Sequence, residues 1–126
     1  GVVLDEQGRV LIARRASNAH QGGLWEFPGG KIEQGETVEQ ALARELNEEL
    51  ALTVELSTPL LAVEHDYGDK KVLLDVRQVE KYSGEPRGCE GQPIEWVSIP
   101  QLLEYAFPMA NKPIIQRLID IGKQRA

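Results

Sequence analysis

Cys89 is the only cysteine of the chain, so no internal disulfide can brace the fold, and a reducing compartment suits it. Both histidines, His20 and His65, are remote from it in sequence, which argues for an inert thiol over a nucleophile. Long hydrophobic runs are missing as well. Nothing approaches the roughly 18 consecutive apolar residues of a membrane span, and Gly1-Val2-Val3-Leu4-Asp5 does not read as a basic, apolar, small-residue leader. A cytoplasmic protein without a membrane partner is expected. Positive charge is in deficit, with 14 Lys and Arg against 20 Asp and Glu and a net charge of -6. That balance disfavours binding to a nucleic-acid polymer, which relies on clustered cations. A polyanionic ligand would have to be held by a few local cations or by metal.

What is present suffices for a core. The 126 residues are 41% hydrophobic and 27% charged, which fits one compact domain over residues 1–126, read as a monomer. The chain opens in what looks like mid-strand without a Met, so a few residues of a first strand are expected to be missing from this numbering. Val2 to Leu4 and Val10 to Ala13 flank a turn-rich Asp5-Glu6-Gln7-Gly8 and predict a β-hairpin. Between Gln21 and Gly35 lie Gly22, Gly23, Gly29, Gly30, Gly35 and Pro28, a density that breaks regular structure and lets backbone approach a ligand. Thr37 with Gln40 three residues later is a capping-box pattern, and a helix follows from Val38 to Leu50. Strands are predicted at Leu52 to Leu56, Leu60 to His65, Val72 to Val79 and Ile94 to Ile99, with Pro59, Gly68 and the stretch Ser83 to Pro93 as breaks. A helical turn at Gln101 to Tyr105 and a helix from Pro113 to Gln124 complete an α/β order with helices packed on a mixed sheet.

The helix carries its acids on an unexpected side. At about 100° per residue, Glu45 and Glu49 fall within about 20° of Val38 and near Leu42, with Glu48 on the flank, while Gln40 and Asn47 face away. Carboxylates spaced i, i+3 and i+4 repel one another, and setting them beside an apolar stripe adds a desolvation cost. A cation or hydrogen bonds must offset both terms. Magnesium prefers such hard oxygens, and the helix C-terminal half is already the negative end of its dipole. A plain solvated acidic face is the competing reading.

The same segment, from Gly30 through Glu36, Arg44-Glu45-Leu46 and Glu48-Glu49 to Ala51-Leu52, resembles the Nudix box. Ala51 stands where the family has Gly, a substitution that bears on the helix exit. Further stretches, among them Arg14-Arg15-Ala16, Ala19-His20, Trp25-Glu26-Phe27-Pro28, Gly84-Glu85-Pro86, Glu90-Gly91-Gln92-Pro93 with Glu95-Trp96, and Phe107-Pro108 with Ala110-Asn111, resemble MutT-type members of that family. The resemblance implies a Nudix α/β/α sandwich around a central mixed sheet. It also implies a magnesium cofactor, or manganese in its place, held by Glu45, Glu48, Glu49, Glu90 and the Gly29 carbonyl. Glu36 and Arg44 join the catalytic set through an ion pair that fixes the loop against the helix. Glu45, then Glu90, is the first choice to take a proton from water.

The reaction so implied is hydrolysis of 8-oxo-dGTP to 8-oxo-dGMP and pyrophosphate, a clearing of damaged nucleotides that limits mutation in DNA replication and repair. Arg15, Lys31 and Arg14 are candidates for phosphate oxygens, although each could equally be a solvated charge. His20 lies in a matched stretch and is counted with the substrate-binding residues. Phe27 is either core or a face for the base. Asn111 is suited to an oxidised guanine, whose N7 has become a donor beside the O6 acceptor, because a carboxamide supplies the complementary pair. The alternative for Asn111 is a helix cap. Two further readings stay open: a Nudix pyrophosphohydrolase for CTP or a dinucleotide, and a catalytically silent nucleotide-binding module.

Overall fold

The computed structural model describes residues 1–15, 23–66, 68 and 71–125. Its strands are β1 (Val2–Val3), β2 (Arg9–Arg14), β3 (Trp25–Glu26), β4 (Thr53–Asp66), β5 (Lys71–Ser83) and β6 (Ile94–Ser98). Helix α1 spans Val38–Leu50 and α2 spans Lys112–Arg125, with 3-10 turns at Pro100–Glu104 and Met109–Asn111. The strands form two three-stranded sheets, β1-β5-β4 and β3-β2-β6. The first is mixed, since β1 runs parallel to β5 while β4 is antiparallel to it.

Alternation along the strands builds two cores. Val2, Val10, Ile12 and Val97 face one cluster, joined by Phe27, Phe107 and the α2 residues Ile114, Ile115 and Leu118. Their neighbours Val3 and Leu11 face the other, joined by Leu42, Leu46 and Leu50 of α1 and by Leu52. Strands buried on both faces need unbroken apolar runs, which explains Val10-Leu11-Ile12-Ala13. The product is an α/β sandwich with one helix on each side. Leu46 and Leu50 are fully buried, each worth about 1.5–3 kcal/mol of transfer free energy, so they fix which face of α1 turns inward.

Two sequence expectations change. The opening hairpin shrinks to one antiparallel bridge, Leu4 to Val10, while Val2 and Val3 pair with Gln78 and Val79 of β5. The turn itself forms as its residues suggest, with the Asp5 carboxylate accepting from the Gln7 and Arg9 N–H groups. Pro59 does not break its strand: β4 continues through it, and a register irregularity between Pro59 and Leu61 absorbs the missing donor.

Candidate metal centre and substrate site

Helix α1 is fixed at both ends. Thr37 Oγ1 accepts from the Gln40 N–H at 3.1 Å, and Gln40 Oε1 accepts from the Thr37 N–H at 2.9 Å, a reciprocal cap worth about 1 kcal/mol. At the exit Ala51 takes the left-handed conformation, φ 59°, that the family's Gly would adopt freely. Its N–H donates to the Asn47 carbonyl, and the Leu52 N–H donates to that of Leu46. Between these stops the Glu45 side chain is 15% exposed and Glu48 60% exposed, so the inward placement holds for Glu45 and not for Glu48. The Glu45 carboxylate lies over Gly30, where an added Cβ would meet it at about 2.5 Å.

The cation that compensates most of these acids is internal. Arg44 forms a bidentate pair with Glu36, at 2.8 and 2.9 Å, and also reaches Glu45 Oε1 at 2.9 Å and Glu48 Oε2 at 3.5 Å. Its remaining donor goes to the Lys31 carbonyl at 3.1 Å, which ties the glycine-rich loop to the helix. Hydrogen bonds from Arg44 hold the Glu36 carboxyl down to about 2. Beside Glu45 and Glu48 a guanidinium thus shares part of the charge that a divalent ion was expected to offset.

Among the described residues Glu49 has no such guanidinium partner. Its carboxylate accepts one weak bond from the Gly29 N–H at 3.3 Å, and its pKa is pushed up to about 7 by burial, then by the charges of Glu45 and Glu26, with a smaller contribution from Glu90. Glu26 is also raised by burial, although Arg15 at 2.5 Å opposes the shift. Acids that raise one another's proton affinity mark a place where positive charge is wanted. The donors on offer, carboxylates beside the Gly29–Gly30 backbone, suit a hard oxygen-seeking ion such as magnesium. Among the described residues no three acidic, histidine or cysteine side chains already converge as a finished ligand set. The residues fit the ion in chemistry and neighbourhood, with side chains still turned to Arg44 or to solvent.

Glu90 reaches this group on a loop bolted at both ends. The Arg87 N–H donates to the Leu50 carbonyl and the Cys89 N–H to that of Glu49, which satisfies helix-end acceptors that would otherwise lack partners. On the far side the Arg14 N–H donates to the Pro93 carbonyl. Between Glu90, Gly91, Gln92 and Pro93 on one side and Arg14, Arg15 and Gly23 on the other lies an open depression of about 330 Å³. Two guanidinium-bearing residues thus border the acidic group. Lys31 is exposed, and His20 lies outside the described residues.

Toward α2, Phe27 is 9% exposed and stacks on Phe107 with ring centroids 5.3 Å apart, so it takes the core role and gives one face to a protein neighbour. Trp25 meets Tyr105 edge to face at 5.4 Å, and the Trp25 backbone N–H donates to the Ala106 carbonyl. These contacts fix the segment that ends at Asn111. Among the described residues the Asn111 carboxamide has no hydrogen-bond partner, so no capping bond supports the cap alternative. Two residues were quoted from the sequence without a role: Glu26 and Gln92. Alternation could have found Glu26, because Trp25 and Phe27 facing inward turn the acid between them to the opposite side.

The chain matches known proteins along most of its length. The NUDIX domain family model fits residues 1–117. The 8-oxo-dGTP diphosphatase of Escherichia coli (strain K12) is 44% identical over 118 residues, 94% of this chain and 92% of that protein. The CTP pyrophosphohydrolase of the same organism is 29% identical over 123 residues, 98% of this chain and 91% of that one. A MutT structure from work on Aliivibrio salmonicida and Vibrio cholerae superposes with a TM-score of 0.83 at 37% identity, covering 94% of each chain. With the capped acidic helix, the glycine loop clamped to it and these likenesses in agreement, the chain belongs to the Nudix hydrolase family, in its MutT-type branch.

Proposed function

We propose that the protein hydrolyses 8-oxo-dGTP to 8-oxo-dGMP and pyrophosphate as a single-domain, cytosolic, monomeric enzyme, and so serves nucleotide-pool sanitation. The observation that carries the reading is the acidic group of Glu49, Glu26 and Glu90, of which Glu49 and Glu90 have no ion-pair partner among the described residues, beside the depression that Arg14 and Arg15 border. A triphosphate bears about four negative charges near neutral pH, and it would be repelled by these acids alone. A divalent ion, bound by Glu45, Glu48, Glu49, Glu90 and the Gly29 carbonyl, would supply the missing positive charge and a more acidic water. The chain's own residues then position. Arg15, with Arg14 and Lys31, donates hydrogen bonds to phosphate oxygens; Glu36 and Arg44 hold loop and helix in register; Glu45 or Glu90 takes the proton from water. The Asn111 carboxamide accepts from N7–H and donates to O6 of the oxidised base, a pairing that ordinary guanine leaves half unmade.

The identity to an 8-oxo-dGTP diphosphatase exceeds that to a CTP pyrophosphohydrolase, 44% against 29%, which supports the oxidised guanine. Turnover of 8-oxo-dGTP, dGTP and CTP at low concentration, with and without magnesium, tests the proposal. Preference for 8-oxo-dGTP and dependence on magnesium are expected. Equal turnover of dGTP, or faster turnover of CTP, would reject the substrate, and no turnover of any would leave a silent binding module.

A further inference from the structure

Gln92 lies where the Glu90 loop turns back to β6, and its carboxamide spans two elements. The Nε2 group donates to the Glu49 carbonyl at 3.0 Å, and Oε1 accepts from the Glu90 N–H at 2.9 Å. One side chain thus joins the backbone of the most strongly perturbed acid on α1 to the backbone of the acid on the loop. The Glu49 carbonyl also takes the Cys89 N–H at 2.9 Å, so two donors converge on one helix-end acceptor. The loop is folded tightly around this bridge. A Cβ on Gly88 would collide with the Gln92 carbonyl oxygen, and the Gly91 N–H donates back to the Gly88 carbonyl at 2.9 Å. Glu90 itself is exposed and makes no side-chain hydrogen bond among the described residues. Nothing on its own side chain sets its position. An exposed glutamate on a free loop would lose several rotatable bonds of entropy on engaging a cation, and a loop held at its backbone has already lost part of that freedom.

We propose that Gln92 is a positioning residue for hydrolysis, holding the Glu90 backbone at a fixed distance from Glu49 so that both carboxylates serve one divalent ion. The inference rests on the reading that Glu90 joins the metal site. A residue that acted only on stability would alter turnover alike whether or not Glu90 had its charge, and that difference makes the idea testable.

The test is a double-mutant cycle on the full chain with Gln92→Leu and Glu90→Gln, read by amide hydrogen exchange without metal, by Mn²⁺ affinity without nucleotide, and by kcat with magnesium. Gln92→Met, of similar length, serves the same cycle should the leucine variant not fold. Gln92→Leu is expected to speed exchange of the Glu90 amide at least about tenfold, to weaken Mn²⁺ binding about fivefold and to lower kcat about tenfold. In the Glu90→Gln background it should change kcat and Mn²⁺ affinity less than twofold. Equal loss in both backgrounds would overturn the positioning role alone. A Glu90→Gln variant with wild-type turnover and Mn²⁺ affinity would overturn the Glu90 reading, and the proposal with it.

Discussion

Two acidic groups share helix α1 and its loop, and the protein treats them in opposite ways. Around Arg44, the acids Glu36, Glu45 and Glu48 have a guanidinium in common, and Glu36 titrates far below the ordinary carboxyl range. Around Glu49, burial and neighbouring acids push the carboxyl up to about 7, with one weak N–H bond in opposition. The first group stabilises the folded chain. The second destabilises it above neutral pH, the kind of perturbation that clusters at functional sites. Acidity of the segment is therefore a poor guide by itself; an internal counter-charge lowers the carboxyl at Glu36, and burial among other acids raises it at Glu49.

The largest effect should come from removing the second group. Glu49→Gln is expected to fold and to lower magnesium-dependent pyrophosphate release at least about a hundredfold, ~3 kcal/mol of barrier, while raising the metal-free melting temperature at pH 8 by a few degrees, on the order of ΔΔG/ΔS for a domain of this size. Loss of both activity and stability would erase the contrast. The sign follows from linkage. A carboxyl raised from 4.5 to about 7 in the native state binds protons that the unfolded chain has released, so stability falls as pH rises through that window, and glutamine removes the fall.

Substrate choice gives the next effect. Asn111→Ala should reduce kcat/KM for 8-oxo-dGTP roughly tenfold more than for dGTP. Losses of equal size on both nucleotides would assign Asn111 to the shape of the helix start. Glu36→Gln probes the first group from its scaffold side. Because the Glu36 carboxyl is depressed, its contribution is complete above about pH 4.5 and disappears as pH falls toward about 2. Urea midpoints of wild type and variant should therefore differ at pH 6 and converge on acidification, and a difference that persists at pH 2.5 would mean that the pair is not what Glu36 contributes.

The smallest change concerns the helix exit. Ala51→Gly should gain about 0.5 kcal/mol, since the left-handed conformation costs Ala ~1–2 kcal/mol while Gly adds ~0.4–1 kcal/mol of unfolded-state entropy. Denaturation with unchanged kcat checks it, and an activity change would tie the exit to the metal centre.

Much of this was legible in residues whose signals are local. Thr37 and Gln40 announce the cap, the period of α1 turns Glu45 and Glu49 inward, and the Nudix box spacing names the metal candidates. What escaped depends on contacts distant in sequence. Val2 and Val3 pair with Gln78 and Val79, a partner no hairpin rule can find. Arg44 was legible as the partner of Glu36, whereas its reach to Glu45 and Glu48 requires the loop to be folded onto the helix. Gln92 bonds a helix end 43 residues away, and glutamine carries no sequence signature for such a bridge. Pro59 misled for a different reason: a strand can carry proline where its register already slips.

On the proposed reading, Glu49 and the acids that surround it bind a divalent cation. Calorimetric titration of Mg²⁺ into the metal-free protein at pH 7.5, for wild type and Glu49→Gln, tests it without recourse to turnover. Saturable binding in wild type and at least a tenfold weaker affinity in the variant are expected. Equal affinities, or no saturable binding in wild type, would contradict it.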